Sequence, residues 1–326
     1  MDLLDSLTDR IFFAIPKKGR IHDKCLELLK GADIQFRKID KRLDIALSTN
    51  LPIALVFLRE SDIPIFVSKG RCSIGIANSF QIKESIYFNK QGSDELNHLL
   101  DLTGYFDMIP KLCLQVPKSS QIRDPKELIG KTITTNFVNI TRVYFMKLEG
   151  KSSINEISTK VKFVSGSIEA SCALGIADGI VDLVDSGSTM TLLNLINLED
   201  LFESIKNEDE IKPGVELITS KKPLFSELVE LIKHRIEAVY HINEYCYCNY
   251  NCPKTKLDDI LKVTPYKKAP KIAPLISAIS LENPDDEQWV AVGVLIEKDK
   301  SGVIMDVLRE NGAEDVFLLD ISNCRV

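Results

Sequence analysis

The residues best suited to chemistry lie in a stretch that combines two aspartates with a glycine and several hydroxyl side chains. β-Prone apolar residues at 180–184 are interrupted by Asp182. A turn follows them and leads into a helical pattern, and its free N–H groups, hydroxyls and helix dipole favour a bound phosphate. The turn consists of Asp185, Ser186, Gly187, Ser188 and Thr189.

The two carboxylates of this stretch need a different partner, because their charge repels phosphate. Asp182 and Asp185 suit either the hydroxyl groups of a ribose or a hard cation such as Mg²⁺. The residue pattern leaves both open. A strand, a glycine turn and a helix also occur together as a plain connection in α/β proteins.

The first predicted strand comprises residues 11–16, and a basic cluster follows it. Lys17, Lys18 and Arg20 stand at the carboxyl end of that strand, where open α/β sheets place their ligands. Such cations neutralise polyphosphates, and arginine does so with two parallel hydrogen bonds. The alternative is a solvated basic loop.

Length and composition bound the class of protein. A chain of 326 residues exceeds what one hydrophobic core serves, so two or three domains are expected. With 44% hydrophobic and 27% charged residues it is typical of globular proteins. Its net charge of -6 argues against nucleic-acid binding. An acidic start and the lack of a long apolar run favour a cytoplasmic protein with no membrane partner.

Three of the cysteines lie close together in the sequence, at Cys246, Cys248 and Cys252, near His241. A zinc site is not expected here, because the paired C-x-x-C spacing is absent and alternate residues of a strand share one face. The sequence assigns these thiols no role.

The order of predicted elements indicates an α/β protein. Short apolar strands alternate with helices in the first two thirds of the chain, and the apolar run Leu51–Leu58 is typical of a strand buried on both faces. The last third follows the order βαββαβ of ferredoxin-like domains. Its predicted strands are 238–250, 276–281, 289–296 and 316–321, with helices at 254–261 and 302–310.

The stretch Glu169–Met190 resembles the signature of the ATP phosphoribosyltransferase family. Residues 16–20 likewise resemble the P-x-K-G-R segment near the start of that family, and the likeness, to the long fungal-type form, covers nearly the whole chain. Ten positions match the signature in register: Glu169, Gly175, Ala177, Ile180, Asp182, Leu183, Ser186, Gly187, Thr189 and Met190.

The resemblance implies a fold with two lobes of the type II periplasmic-binding-protein kind and a ferredoxin-like regulatory domain. The first lobe is expected at 1–108 with 191–222, the second at 109–190, and the regulatory domain at 223–326. Members bind histidine as a feedback inhibitor in the third domain and form dimers that assemble into hexamers.

The implied reaction is the first step of histidine biosynthesis. ATP condenses with phosphoribosyl pyrophosphate to give phosphoribosyl-ATP and pyrophosphate, with Mg²⁺ as cofactor and the active site between the two lobes. A two-lobed solute-binding protein is disfavoured by the missing secretion signal and by the third domain.

The resemblance also implies roles for individual residues. Lys18, Arg20, Asp182 and Asp185 are expected to be catalytic, and the two aspartates to contact ribose or the metal. Residues 134–136 are expected near the pocket. The donor phosphate is expected to be bound by Asp182, Asp185, Ser186, Gly187, Ser188 and Thr189. The nucleotide is expected to be bound by Lys17, Arg42, Asp44, Arg59 and Gly75.

One segment of the first lobe departs from the family. The usual pattern D-x-G-I-T-G-x-D-x-V-x-E is replaced at Ser73–Glu84, where only Gly75, Ile76 and Glu84 are kept. We therefore expect ATP binding to be weakened more than donor binding. The alternative function is a catalytically weak paralogue that binds histidine or the donor as a regulatory subunit.

Overall fold

The computed structural model describes most of the chain in two compact units. One unit comprises residues 1–27 and 34–230, and the other residues 28–33 and 231–326. No helix within the described part of the chain is long and apolar enough to cross a membrane. The described residues are 7–38, 43–88, 96–107, 111–166, 168–184, 188–201, 213–264, 270–275 and 288–321.

The strands and helices alternate along most of the chain. The strands are β1 (Ile11–Pro16), β2 (Phe36–Lys38), β3 (Ile45–Ser48), β4 (Ile53–Leu58), β5 (Ile74–Asn78), β6 (Leu96–Asp101), β7 (Lys111–Pro117), β8 (Thr132–Thr135), β9 (Lys160–Phe163), β10 (Gly179–Val184), β11 (Leu195–Asp200), β12 (Val215–Ser220), β13 (Tyr245–Pro253), β14 (Lys271–Pro274), β15 (Trp289–Glu297) and β16 (Glu314–Leu319). The helices are α1 (Arg20–Gly31), α2 (Ile63–Ser68), α3 (Ser79–Phe88), α4 (Thr103–Phe106), α5 (Val138–Leu148), α6 (Ala170–Ala173), α7 (Ser188–Leu192), α8 (Ser226–Glu244), α9 (Leu257–Leu261) and α10 (Ser301–Glu310).

The first lobe is built on a seven-stranded sheet in the order β2-β3-β4-β1-β5-β12-β6. Its centre is parallel, since β1 pairs in parallel with both β4 and β5. The apolar run at 51–58 does form a buried central strand, as predicted, over Ile53–Leu58. Helix α2 covers one face, where Ile63 and Val67 pack with Ala14 and Ile218.

The second lobe is built on a five-stranded sheet in the order β11-β7-β10-β8-β9. Strand β10 runs parallel to β8 and antiparallel to β7. Helix α5 covers one face of this sheet and contributes Ile140 and Phe145 to a core with Leu114, Ile133 and Val181.

The predicted lobe boundary was wrong at one strand. Residues 191–222 were assigned to the first lobe, but β11 pairs antiparallel with β7 of the second sheet. Within the described part of that segment, only β12 joins the first sheet. The hydrophobic pattern of a strand does not reveal which sheet edge it joins, since either edge offers the same backbone groups. The other domain boundaries stay a prediction.

The smaller unit contains a four-stranded antiparallel sheet in the order β14-β15-β13-β16. With α9 and α10 between the strands, the order is the predicted βαββαβ of ferredoxin-like domains. The second strand predicted at 276–281 lies outside the described residues, and the described second strand is β14.

The start of this unit differs from the prediction. A strand was expected from residue 238, but α8 continues to Glu244 and β13 begins at Tyr245. The reason is a buried stripe at helical spacing: Ile232 and Ile236 are fully buried and Val239 is 7% exposed. Alternation begins only after it.

The three clustered cysteines point into the core of the smaller unit. Cys246, Cys248 and Cys252 alternate along β13 and pack opposite Val290 and Val294 of β15. Burial raises the pKa of the Cys248 thiol to about 11, so it stays protonated. Among the described residues, no group of three or more His, Cys, Asp or Glu side chains could hold a metal ion. The structure gives these thiols a packing role.

Replacing Cys248 by serine should destabilise the smaller unit. The buried hydroxyl would have no partner among the surrounding aliphatic side chains, at a cost of about 1–3 kcal/mol. Urea unfolding followed by circular dichroism measures the change, with Cys248→Ala as the control for lost volume. A serine variant as stable as the alanine variant would contradict this assignment.

Candidate functional site

The parallel strands of the first lobe bring its basic residues to one edge of the sheet. Pro16 at the end of β1 pairs with Leu58 at the end of β4. The residues that follow these ends, including Lys18 and Arg59, therefore lie at the carboxyl edge, where α/β sheets bind ligands. Both side chains belong to exposed residues.

The turn after β1 depends on a glycine. Gly19 has a φ of +94°, a conformation that side chains disfavour, and a Cβ added there would meet nothing within 4 Å. Helix α1 starts immediately afterwards at Arg20, so its first N–H groups face the same edge as the cations. This arrangement suits a polyanion such as a phosphate chain.

Two of the predicted nucleotide-binding residues form an ion pair with each other. Lys17 Nζ lies 2.6 Å from Asp44 Oδ2, and both side chains are about half exposed, at 54% and 52%. The backbone N–H of Lys17 also donates to Leu58 O at 2.7 Å. Asp44 thus partly neutralises the charge of Lys17. The predicted Arg42 lies outside the described residues.

Gly75 has a packing role that needs no nucleotide. A Cβ added to it would lie 2.7 Å from Ile63 Cγ2 and 2.9 Å from Val67 Cγ2, both on α2. A side chain at this position would push α2 away from the sheet. Contact with a nucleotide at Gly75 stays a prediction.

The segment that departs from the family, residues 73–80, is buried throughout. Asn78 Oδ1 accepts a hydrogen bond from the backbone N–H of Phe80 at 2.8 Å, which closes the turn between β5 and α3. Ser79 Oγ accepts from the N–H of Gly214 at 3.0 Å. Asn78 and Ser79 therefore form hydrogen bonds within the protein. The segment expected to contact ATP has little exposed polar surface as a result.

The second lobe also ends two parallel strands at one edge. β8 ends at Thr135 and β10 at Val184, and the expected pocket residues at 134–136 lie at this end. Thr135 Oγ1 accepts from the N–H of Phe137 at 2.9 Å. Thr134 Oγ1 and Asn136 Oδ1 are enclosed without a hydrogen-bond partner. Such atoms carry an energetic cost that a bound ligand relieves.

Asp182 lies on β10 with its carboxyl group largely buried. Burial raises its pKa, a hydrogen bond from the N–H of Leu183 at 2.8 Å lowers it, and the nearby charge of Glu169 raises it; together these effects bring the pKa to about 6. A carboxylate in this position gains from a cation or from hydroxyl donors. The sequence assigned Glu169 no role beyond its match to the family signature. Its negative charge was the only feature that could have indicated an effect on Asp182.

The rest of the predicted donor loop falls partly outside the described chain. Asp185, Ser186 and Gly187 are not among the described residues, and the side chains of Ser188 and Thr189 are likewise not described. A strand precedes these residues and a helix follows them, as predicted, because β10 ends at Val184 and α7 begins at Ser188.

Replacing Asp182 by asparagine should stabilise the protein, and more so at higher pH. The folded-state pKa of about 6 exceeds the usual 3.8, so the native protein loses stability as pH rises between these values, while the variant does not. The advantage of the variant should grow by roughly 1 kcal/mol from pH 5 to pH 8. Thermal unfolding at both pH values measures it. An advantage that is absent, or that does not change with pH, would refute the burial of this charge.

Two family models together match most of the chain. The family model described as ATP phosphoribosyltransferase matches residues 59–221, and the model described as HisG, C-terminal domain matches residues 243–323. The chain is 47% identical to the ATP phosphoribosyltransferase of Yarrowia lipolytica and 45% identical to that of Saccharomyces cerevisiae, over the full length of each.

Among solved structures, the chain is similar to the ATP phosphoribosyl transferase (HisG:HisZ) complex from Thermotoga maritima. The TM-score is 0.51 at 21% identity, covering 70% of this chain and 98% of that one. This likeness confirms the predicted α/β fold with two lobes, and the separate four-stranded sheet fits the additional C-terminal domain. From its matches over both family models and over the whole length of its relatives, the chain belongs to the ATP phosphoribosyltransferase family.

Proposed function

We propose that this protein transfers the phosphoribosyl group of phosphoribosyl pyrophosphate to N1 of the adenine of ATP, the first step of histidine biosynthesis. The observation that carries the proposal is the full-length identity with enzymes of this name. It is supported by two sites of matching chemistry, the cations at the edge of the first sheet and the buried Asp182 at the edge of the second.

The donor half of the site is proposed to lie on the second lobe. The loop from Asp185 to Thr189 would hold the 5-phosphate on its N–H groups and hydroxyls. Asp182 and Asp185 would contact the ribose or a metal ion. The enclosed and unpartnered Thr134 Oγ1 supports a polar ligand at this end of β8.

The nucleotide half is proposed to lie on the first lobe. The nucleotide would be bound by Lys17, Asp44 and Arg59 together with the buried Gly75. Arg42 would belong to the same set. Lys18 and Arg20 would face pyrophosphate or nucleotide phosphates, on a turn that ends at a helix N-terminus.

The reaction needs no protein nucleophile. The lone pair of adenine N1 forms a bond to the anomeric carbon while the bond from that carbon to the pyrophosphate oxygen breaks. The pyrophosphate leaves with the bonding electrons, so cations that stabilise it lower the barrier. Lys18 and Arg20 supply such charge, and the two lobes hold N1 and the anomeric carbon in line.

A divalent metal ion fits the donor half. The burial of Asp182 and the repulsion from Glu169 leave carboxylate charge that a hard cation would compensate. Mg²⁺ is usually held by one or two carboxylates together with substrate phosphates, and Asp182 and Asp185 would play that part. When bound, Mg²⁺ would neutralise charge on the pyrophosphate.

The smaller unit is proposed to be regulatory. Its ferredoxin-like order and its match to the C-terminal family domain support a site where histidine inhibits the enzyme. Assembly of dimers into hexamers and a cytoplasmic location belong to the same proposal.

A second candidate function is a catalytically weak paralogue that binds histidine or the donor as a regulatory subunit. The buried segment 73–80 favours it, because its polar groups bond within the protein where the family has a more polar turn.

One assay separates the two candidates. Purified protein with ATP, phosphoribosyl pyrophosphate and Mg²⁺ should form phosphoribosyl-ATP, measured by its absorbance, and histidine should inhibit the reaction. Removal of divalent metal with a chelator should stop it. Donor or histidine binding without turnover would contradict the enzyme and support the regulatory subunit.

Replacing Gly19 by alanine should lower activity through the turn that presents Lys18 and Arg20. The φ of +94° disfavours any side chain, so the turn shifts, and kcat/KM should fall about tenfold. Gly70 is the matched control, since it also has a positive φ, of +65°, and open space around it.

Gly70 precedes β5, at the opposite edge of the sheet. Gly70→Ala should therefore cost stability but keep kcat/KM within about twofold. Steady-state kinetics and thermal unfolding of both variants check this. Equal losses of activity in the two variants would remove the special role of the basic turn.

A further inference from the structure

Helix α3 starts in the first lobe and is held there on one side. It follows β5 directly, and Ser79 Oγ accepts from the N–H of Gly214 just before β12. Ile82 is fully buried with Ala14 and Ile218 in the core beneath the first sheet. This face of α3 is therefore a fixed part of the first lobe.

The other face of α3 is buried in the second lobe. Phe80, Glu84 and Tyr87 follow one another at spacings of four and three residues, so they share one side of the helix. Phe80 is 3% exposed and belongs to the core of the second sheet, with Leu114 and Phe137. Tyr87 packs against the same core.

Glu84 lies between these two aromatic residues and bonds to the start of α5. Its Oε1 accepts from the backbone N–H of Asn139 at 2.8 Å and from Asn139 Nδ2 at 2.9 Å. Its Oε2 accepts from the N–H of Ile140 at 2.9 Å. The residue before α5, Phe137, has no side chain that can cap the helix. A carboxylate from the first lobe thus satisfies the first turn of a helix in the second.

The end of α5 that Glu84 caps adjoins the proposed donor pocket. Strand β8 ends at Thr135, and only Asn136 and Phe137 separate it from Val138, where α5 begins. Glu84 therefore joins the first lobe to the second lobe close to the proposed donor pocket.

We propose that Glu84 and Phe80 are positioning residues that set the second lobe, with its donor site, against the nucleotide site of the first. This rests on the proposed function, in which N1 of ATP must meet the anomeric carbon of the donor across the two lobes. Phe80 stands where the family pattern has aspartate, so the departing segment adds an apolar anchor between the lobes.

The test compares Glu84→Gln with the matched control Glu149→Gln. Glu149 also accepts several hydrogen bonds, from the N–H and Oγ of Ser158 at 2.7 and 2.9 Å and from those of Thr159 at 3.1 and 2.6 Å. All of them lie within the second lobe. Both variants keep the shape of the side chain and remove the charge of a carboxylate that accepts several hydrogen bonds.

Glu84→Gln should lower kcat at least about tenfold while the Kd of phosphoribosyl pyrophosphate, measured without ATP, stays within about twofold. This split is expected because the proposed contacts to the ribose and the 5-phosphate, Asp182 and the loop 185–189, lie on the second lobe. Glu149→Gln should keep kcat within about twofold, whatever stability it loses. Normal kcat in Glu84→Gln, or an equal loss in Glu149→Gln, would overturn the proposal.

Hydrogen exchange provides a readout that does not need turnover. Amides 139–140 and helix α3 should exchange faster in Glu84→Gln than in the unmodified protein, and Glu149→Gln should leave them unchanged. Faster exchange in Glu84→Gln, together with no turnover by the unmodified protein, would retain the contact and reject the proposed function. Unchanged exchange in Glu84→Gln would reject the contact itself.

Discussion

Parallel strand pairing is the constraint on which the site depends. Because β1 and β4 run in parallel, and β8 runs in parallel with β10, the turns after each pair emerge at a common edge. A basic turn from one part of the chain is thereby set beside an arginine more than thirty residues away. The same geometry places threonines beside the strand that carries Asp182. Helix α1, which follows β1, also directs its N-terminus to this edge, which adds positive potential to the basic turn of the first lobe.

The second lobe holds this arrangement at some cost to its stability. A buried carboxyl group with a raised pKa and two enclosed oxygens without partners are each unfavourable in isolation. They lie at the carboxyl ends of adjacent parallel strands rather than scattered over the lobe. Functional sites commonly keep such groups because a ligand compensates them, and the surrounding apolar core supplies the stability that they remove.

Much of this could be read from the sequence, and the failures have physical causes. The order of the ferredoxin-like domain and the central buried strand followed from periodicity alone. The extent of α8 was missed because Val239 and Tyr240 favour strands by propensity, a preference that the buried stripe at helical spacing overrides. The pairing of β11 and the ion pair of Lys17 with Asp44 depend on contacts distant in sequence. Phe80 counted only as part of the segment expected to weaken ATP binding, since nothing in its sequence neighbourhood shows that it packs in the core of the second lobe.

The burial of Phe80 in the second lobe bears on how the protein folds. The second lobe is inserted in the chain between β6 and β12, so it resembles a module that might be excised. Yet its core is completed by an aromatic ring from outside the insertion, and its helix α5 is capped from there. If the insert were excised, it would keep all its own strands, but its core would lack the ring of Phe80. The two lobes are separate in their sheets, but the core of the second lobe is incomplete without α3.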